Sequence, residues 1–285
     1  LQRQAGFRYF PQPAAPHLCI GCPLTPMILI QQRYASADAA RQAELDEALA
    51  CNEACHVFER IVPVEGSARR WTFADLFTLA AEQFPGRLCV VANSDISFDE
   101  SLGLASRLLE APSVLVALSR WDDEAAPSME GRVDTATWRF YSQSQDAWIF
   151  RAGSLPLFDA AFQLGIPRCE NRLAFEAARA GIVVRNPALS IRARHHHATN
   201  VRTWRRQEHY LGPLLFPRLT TVDAVDADAL VLRRTWRRHE AVVPLGNGQR
   251  VAEAVVRPLR LRDIWRAKVG FRSPFYIRRR LQTPS

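Results

Sequence analysis

From residue 25 onward, short apolar runs alternate with longer amphipathic stretches. Met27-Ile28-Leu29-Ile30 is too short for a helix and predicts a buried strand. Ala39 to Ala54 has helical spacing, with Leu45 and Leu49 four apart, and Val57 to Val64 reads as a second strand. Thr72 is a suitable cap for the next helix, with Asp75 at the third position. Phe73, Leu76, Phe77 and Ala80 make that helix's apolar face, and Pro85-Gly86 ends it. Leu88 to Ala92 is a wholly apolar third strand, Ser101 to Leu109 a helix, and Val114 to Leu118 a fourth strand. Further on, Trp148-Ile149-Phe150 predicts a short strand. Leu173 to Ala180 predicts a helix closed by Gly181, and Ile182-Val183-Val184 another strand. Pro187 to Arg194 leads into His195-His196-His197.

Alternation at about 25–30 residues predicts right-handed βαβ units and a mostly parallel sheet flanked by helices, an α/β, Rossmann-like class. Ligands of such sheets bind beyond the carboxyl ends of the strands. The residues there are Gln31-Gln32-Arg33, Asn93-Ser94-Asp95 and Ser119-Arg120-Trp121-Asp122, all polar apart from Trp121. Wet loops alone produce polar strand ends about as often as a site does. Asn93-Ser94-Asp95 is expected to precede a turn. A carboxylate there can hold a divalent ion that bridges phosphate oxygens, although Asp also ends many strands without one. Cys169-Glu170-Asn171-Arg172 opens a helix. Glu170 is either a dipole-favoured first-turn residue or a general base. In the histidine triplet, alternate side chains point opposite ways, so one or two imidazoles at most join Asp95.

Outside this region the pattern weakens. Residues 1–24 are rich in Pro and Gln and read as an arm or linker, and Asp123 to Thr137 as an acidic, aperiodic loop. Beyond 205, Ala229 to Leu232 and Ala241 to Val243 look like strands, with Gly246-Asn247-Gly248 as a hairpin turn towards Val251. Arg257 to Arg280 is basic with interleaved Leu259, Ile264, Trp265 and Phe271. The expected organisation is therefore an arm (1–24), a sheet domain (25–204) and a small C-terminal extension of β-hairpin and basic helix (205–285).

Charge sharpens that division. The net charge is +8, and Arg250 to Ser285 carries all of it, with ten Lys/Arg against Glu253 and Asp263. A neutral body with a cationic tail argues against a nucleic-acid grip, which spreads charge over a folded face. The tail reads as a helix packed on the body or as a contact to an anionic membrane surface. No apolar run approaches the roughly 18 residues of a membrane span, and no signal peptide is expected. A start at Leu1 rather than Met suggests a segment of a longer polypeptide. Six cysteines do not make a disulfide scaffold. Cys19 and Cys22 form a CxxC, and Cys51 and Cys55 lie one helical turn apart. The helical and strand patterns around Cys51, Cys55 and Cys89 favour packing over zinc. Free thiols fit a reducing, cytoplasmic compartment.

Five ordered blocks carry a family resemblance: VVANSDISFDESL, LSRWD, SQDAWIF, LGIPRCENRLAFEAARAG and NPALSIRARHHHATNVR. Gln31 to Tyr34 and Arg41 to Glu44 fit the same pattern. Over roughly residues 25–204 the chain resembles a bacterial group labelled hemolytic protein HlpA-like, which in turn resembles GT-A-fold glycosyltransferases. The resemblance implies transfer of a sugar from a nucleotide-sugar donor to a hydroxyl acceptor, such as a glycan, in surface polysaccharide or glycoconjugate assembly. It implies a Mn²⁺ or Mg²⁺ ion on the donor diphosphate. Asp95 would be the metal carboxylate, with His195 or His197 beside it. Glu170 would be the base, with Asp146 as a second acid at the reacting centre. Gln32, Asn93, Ser94, Arg120, Asn171 and Arg172 would contact the donor. Asn93 departs from the family's pattern, because an acidic residue is expected there. That neutral side chain leaves room for a second reading, a binding module of this shape without turnover. A nucleotidyltransferase is disfavoured because Gln31-Gln32-Arg33 lacks a glycine-rich loop.

Overall fold

A computed structural model describes residues 25–66, 69–122, 144–199, 201, 209–210, 214–217, 219–223 and 254–257. The arm at 1–24 with its CxxC, the Asp123–Thr137 loop, the strands at 229–243, the 246–248 turn and the basic stretch past 257 lie outside these residues.

The first half forms β1 (Met27–Arg33), α1 (Ala39–Ala54), β2 (Phe58–Glu65), α2 (Phe73–Gln83), β3 (Leu88–Ala92) and β4 (Ile96–Phe98). A 3-10 helix (Glu100–Leu108) and β5 (Val114–Leu118) follow. The second half forms β6 (Ala147–Arg151), α3 (Cys169–Arg179), β7 (Val183–Arg185), β8 (Ala193–His195), β9 (Leu214–Pro217) and β10 (Ala254–Arg257). The main sheet has six strands in the order β2-β1-β3-β6-β5-β7. All run parallel except β6, which pairs antiparallel with both β3 and β5. The protein is thus an α/β fold with a mostly parallel mixed sheet flanked by helices. No helix among the described residues is long and apolar enough to cross a membrane.

Strand alternation divides the core. Met27, Leu29, Val90, Val116 and Ile149 face one side, while Ile28, Ile30, Val91, Leu115 and Trp148 face the other, against α2 and α3. Both faces of the central strands are covered, which explains their unbroken apolar runs. Phe73 meets Trp148 edge-on, with ring centroids 4.4 Å apart, and so fixes α2 to the sheet. Thr72 and Asp75 complete a reciprocal capping box at the start of α2.

Three elements differ from the pattern-based expectation. Ser101–Leu109 folds as a 3-10 helix rather than an α-helix. The turn expected after Asp95 is instead strand β4, paired antiparallel with β8. In α1 the buried stripe is Arg41, Leu45, Ala48 and Asn52, so polar residues occupy both ends of what reads as an apolar face. Past residue 204, Leu215 packs against Ala174 and Ala178 of α3, and Leu219 and Val222 join the sheet core. Cys55 and Cys89 are buried as packing residues, whereas Cys51 is exposed.

Candidate functional site

The five parallel strands end at one edge of the sheet, and the reversed strand β6 begins there. Antiparallel pairing thus brings Ser144-Gln145-Asp146 to the same rim as Asn93–Asp95 and Arg120–Asp122. The Asp146 amide donates to Leu118 O at 2.9 Å, and the Asn93 amide to Asp146 O at 3.0 Å. The rim borders a cleft of about 700 Å³. Its lining includes Gln32, Asn93, Ser94, Asp95, Arg120, Asp146, Glu170, Asn171, His195 and His197.

Buried polar side chains set the loop that carries Asp95. Gln31 Nε2 donates to Asn93 O and Ile96 O at 2.8 and 3.1 Å. Asn52 donates to Ile96 O at 2.9 Å and accepts from the Phe98 amide at 3.0 Å, closing the free edge of β4. Ser94 Oγ donates to Gln32 O at 2.6 Å. Gln32 Oε1 in turn accepts from the Trp71 amide at 2.9 Å. Close passage of the chain at Gly66 makes room for Gln32, since a Cβ there would stand 2.5 Å from Gln32 Cγ. Gln32 and Ser94 therefore serve the shape of the cleft through backbone contacts. Asn93 donates to Asp146 Oδ1 at 2.6 Å, so the neutral residue is a partner of the second acid.

Strand β8 supplies the imidazoles. It lies between β4 and the Trp121 backbone, with Ile96 opposite His195. The two-residue alternation sends His195 and His197 to the cleft and His196 away, where its ring bonds Ser97 Oγ at 2.8 Å. His195 Nε2 lies 3.4 Å and His197 Nδ1 3.5 Å from Asp95 Oδ2, and the two rings stack. One ligand atom from each of these three residues falls within 4.8 Å of the other two. His197 Nδ1 is buried and makes no hydrogen bond. Asp122 Oδ1 bonds His195 Nδ1 at 2.8 Å, which leaves Nε2 facing Asp95. A carboxylate with two imidazoles, one of them an orphaned buried nitrogen, fits a divalent transition ion. Burial opposes the charged form of Asp95, but His195, His197 and Arg41 outweigh it and hold its carboxyl well below the usual range. Burial likewise opposes charge on His195, yet Asp122 and Asp95 raise it to about 9.

Glu170 stands in the first turn of α3, partly buried, at the same cleft. Desolvation, with the charge of Asp146 added, raises its pKa to about 7. Cys169 Sγ approaches Glu170 Oε2 at 3.3 Å. Asp146 accepts from Asn93 and Ser144 and lies 3.5 Å from Arg120 Nη1, while Arg120 Nε donates to Asp122 at 2.9 Å. Arg120 thus ties the acidic residues of the rim into one network.

Arg172 and Asn171, both expected at the donor, stand differently. Arg172 does not line the cleft: it pairs with Glu176 and stacks on Phe162 and Phe175. Two residues along a helix turn the side chain by roughly 200°, so a helix that aims Glu170 at the cleft aims Arg172 away. Asn171 borders the cleft, but its amide donates to Gln145 Oε1 at 2.9 Å and Leu215 O at 3.2 Å, holding β9. Arg41 and Asp122 reach the site without having been given a role: Asp122 stands in the strand-end stretch 119–122, and Arg41 in the block Arg41 to Glu44 that fits the family pattern. Arg41 sits a full helix away in sequence, and the buried stripe of α1 carries it to the cleft.

Among known proteins, the sequence matches no family model and no curated protein.

Proposed function

We propose that this chain is a metal-dependent, GT-A-type glycosyltransferase of the HlpA-like group. One observation carries the reading: Asp95, His195, His197 and the proton acceptor Glu170, drawn from three distant segments, line a single cleft at the carboxyl edge of the sheet. The cleft volume of about 700 Å³ matches a ligand of nucleotide-sugar size.

In this reading the acceptor hydroxyl attacks the anomeric carbon of the donor, and the bond from that carbon to the diphosphate oxygen breaks. The hydroxyl proton passes to Glu170, and a nucleoside diphosphate leaves. A pKa of about 7 suits a base working near neutrality. Asp95, His195 and His197 would hold Mn²⁺ or Mg²⁺, which supplies positive charge to the departing diphosphate. The imidazole donors favour Mn²⁺ over Mg²⁺, because Mg²⁺ prefers oxygen ligands. Arg120 holds Asp146 and Asp122 in place. The basic stretch beyond 257 would either pack on the body as a helix or make peripheral contact with an anionic membrane surface, where a glycan acceptor would be met.

The test is a panel of UDP-, GDP- and CMP-sugars, with release of the nucleotide as readout. The proposal expects release that depends on Mn²⁺ and is lost in Asp95→Ala. Glu170→Gln should lower turnover by about 10²- to 10⁴-fold with donor affinity unchanged. Equal losses in affinity and turnover would make Glu170 a binding residue. Nucleotide binding without turnover on any donor would identify a binding module instead, and no binding at all would retire the sugar-transfer reading.

A further inference from the structure

We infer that Arg41 is the resident counter-cation of Asp95, and that a divalent ion joining Asp95, His195 and His197 does so by exchange for this guanidinium. The inference rests on the metal assignment proposed above and adds a competitor to it. Arg41 comes from α1, is 4 % exposed, and borders the cleft. Its Nη2 pairs with Asp95 Oδ2, the same oxygen that His195 and His197 face. Its Nη1 is anchored independently, to Glu44 Oε2 at 2.8 Å and His196 O at 3.0 Å. The Nε is buried and has no hydrogen-bond partner.

These contacts set the terms of the exchange. An ion takes the lone pairs of Oδ2 that Arg41 now uses, and a guanidinium and a divalent ion on one oxygen repel strongly at an effective dielectric of about 20. The two therefore compete for Asp95 Oδ2. The anchors on Nη1 do not involve Asp95, so Arg41 can release Oδ2 and stay at the cleft wall. A buried donor without a partner is uncommon in a side chain at its only seat, and the Nε of Arg41 is such a donor. Glu44 also holds the backbone amide and hydroxyl of Thr199, at 2.6 and 2.8 Å. The anchor of Arg41 is therefore the clamp on the segment that follows the histidines.

The experiment measures Mn²⁺ affinity of the whole chain by electron paramagnetic resonance of the free ion. The exchange predicts that Arg41→Gln binds Mn²⁺ about tenfold more tightly or better, since a competing charge is gone. Arg41→Lys, which keeps the charge, should stay within about threefold of the native protein. A merely structural role predicts the reverse sign, weaker binding in Arg41→Gln, and that result, or no change, would overturn the inference. In the native protein, adding diamagnetic Zn²⁺ should shift the Arg41 guanidinium nitrogen resonances together with those of His195 and His197. Histidine shifts with Arg41 unmoved would overturn the exchange even if Arg41→Gln failed to fold. Absence of Mn²⁺ binding in every variant, with nucleoside diphosphate still bound, would sink the metal centre and the exchange together but leave the nucleotide cleft standing.

Discussion

Glu170 shows how one residue's surroundings decide its chemistry. Its folded pKa of about 7 lies above the ordinary carboxyl value of 4.5. The folded protein therefore holds a proton that the unfolded chain has already lost between those values. Stability from this group is complete below pH 4.5 and falls as pH rises through 7. Glu170→Gln, always neutral, should match the native protein in denaturant melts at pH 4. It should exceed it by about 1–3 kcal/mol at pH 9, and a gap of the opposite sign would show that Glu170 is stabilised as a carboxylate. Activity runs the other way: the base must be ionised, so the acid limb of the pH–rate profile should fall near 7. At this scale the sequence was partly readable. The place of Asp95 follows from a strand end, that of Glu170 from a helix start, and the alternation of the histidines from period-two geometry. The direction of Arg172 does not, because the helix expected to open at Cys169 sets it only once the face that packs on the sheet is known. Arg41 does not either, because a buried arginine on a helix stripe looks like a solvated one until its distant partner is known.

Elements were legible where one force dominates. α1 and β3 and β5 keep the bounds that apolar periodicity gives them, and the Thr72–Asp75 box begins α2 as its residue types require. Thr72→Ala removes the hydroxyl half of that box and leaves the residue-72 amide donating to Asp75. It should cost about 1 kcal/mol and lower the melting temperature by about 2–4 °C, while leaving cleft ligands' affinity unchanged. β4 was not legible. Ile96-Ser97-Phe98 is too short to announce a strand, and its reason for being one is its partner β8, nearly a hundred residues away, together with Asn52 on α1. The direction of β6 was hidden too, since a buried strand of either sense presents the same apolar face. Yet that reversal is what delivers Asp146 to the rim. The segment Glu100–Leu108 shows the limit of periodicity: Asp99 caps it as a helix start, but its nine residues settle into the tighter 3-10 winding.

For the molecule as a whole, the α/β class and a polar cleft at the strands' carboxyl ends were readable, because both follow from topology rather than from detail. A ligand that binds only the folded cleft stabilises all of it. A nucleoside diphosphate with Mn²⁺, at about 100 times its dissociation constant, should add about 2.7 kcal/mol and raise the melting temperature by several degrees. Asp95→Ala should abolish the Mn²⁺-dependent part of that rise. If the shift is the same with and without Mn²⁺, the carboxylate–imidazole group is not where the ion acts.

The contacts that build this rim also impose an order of events on a growing polypeptide. Asp95 must wait for residues a hundred positions downstream, and Glu44 for Thr199, 155 positions on. Closing loops of that length comes late. A nascent chain released before the histidine triplet could hold much of its apolar interior and still lack both imidazoles beside Asp95, so the three-residue group is assembled only in molecules that have finished folding.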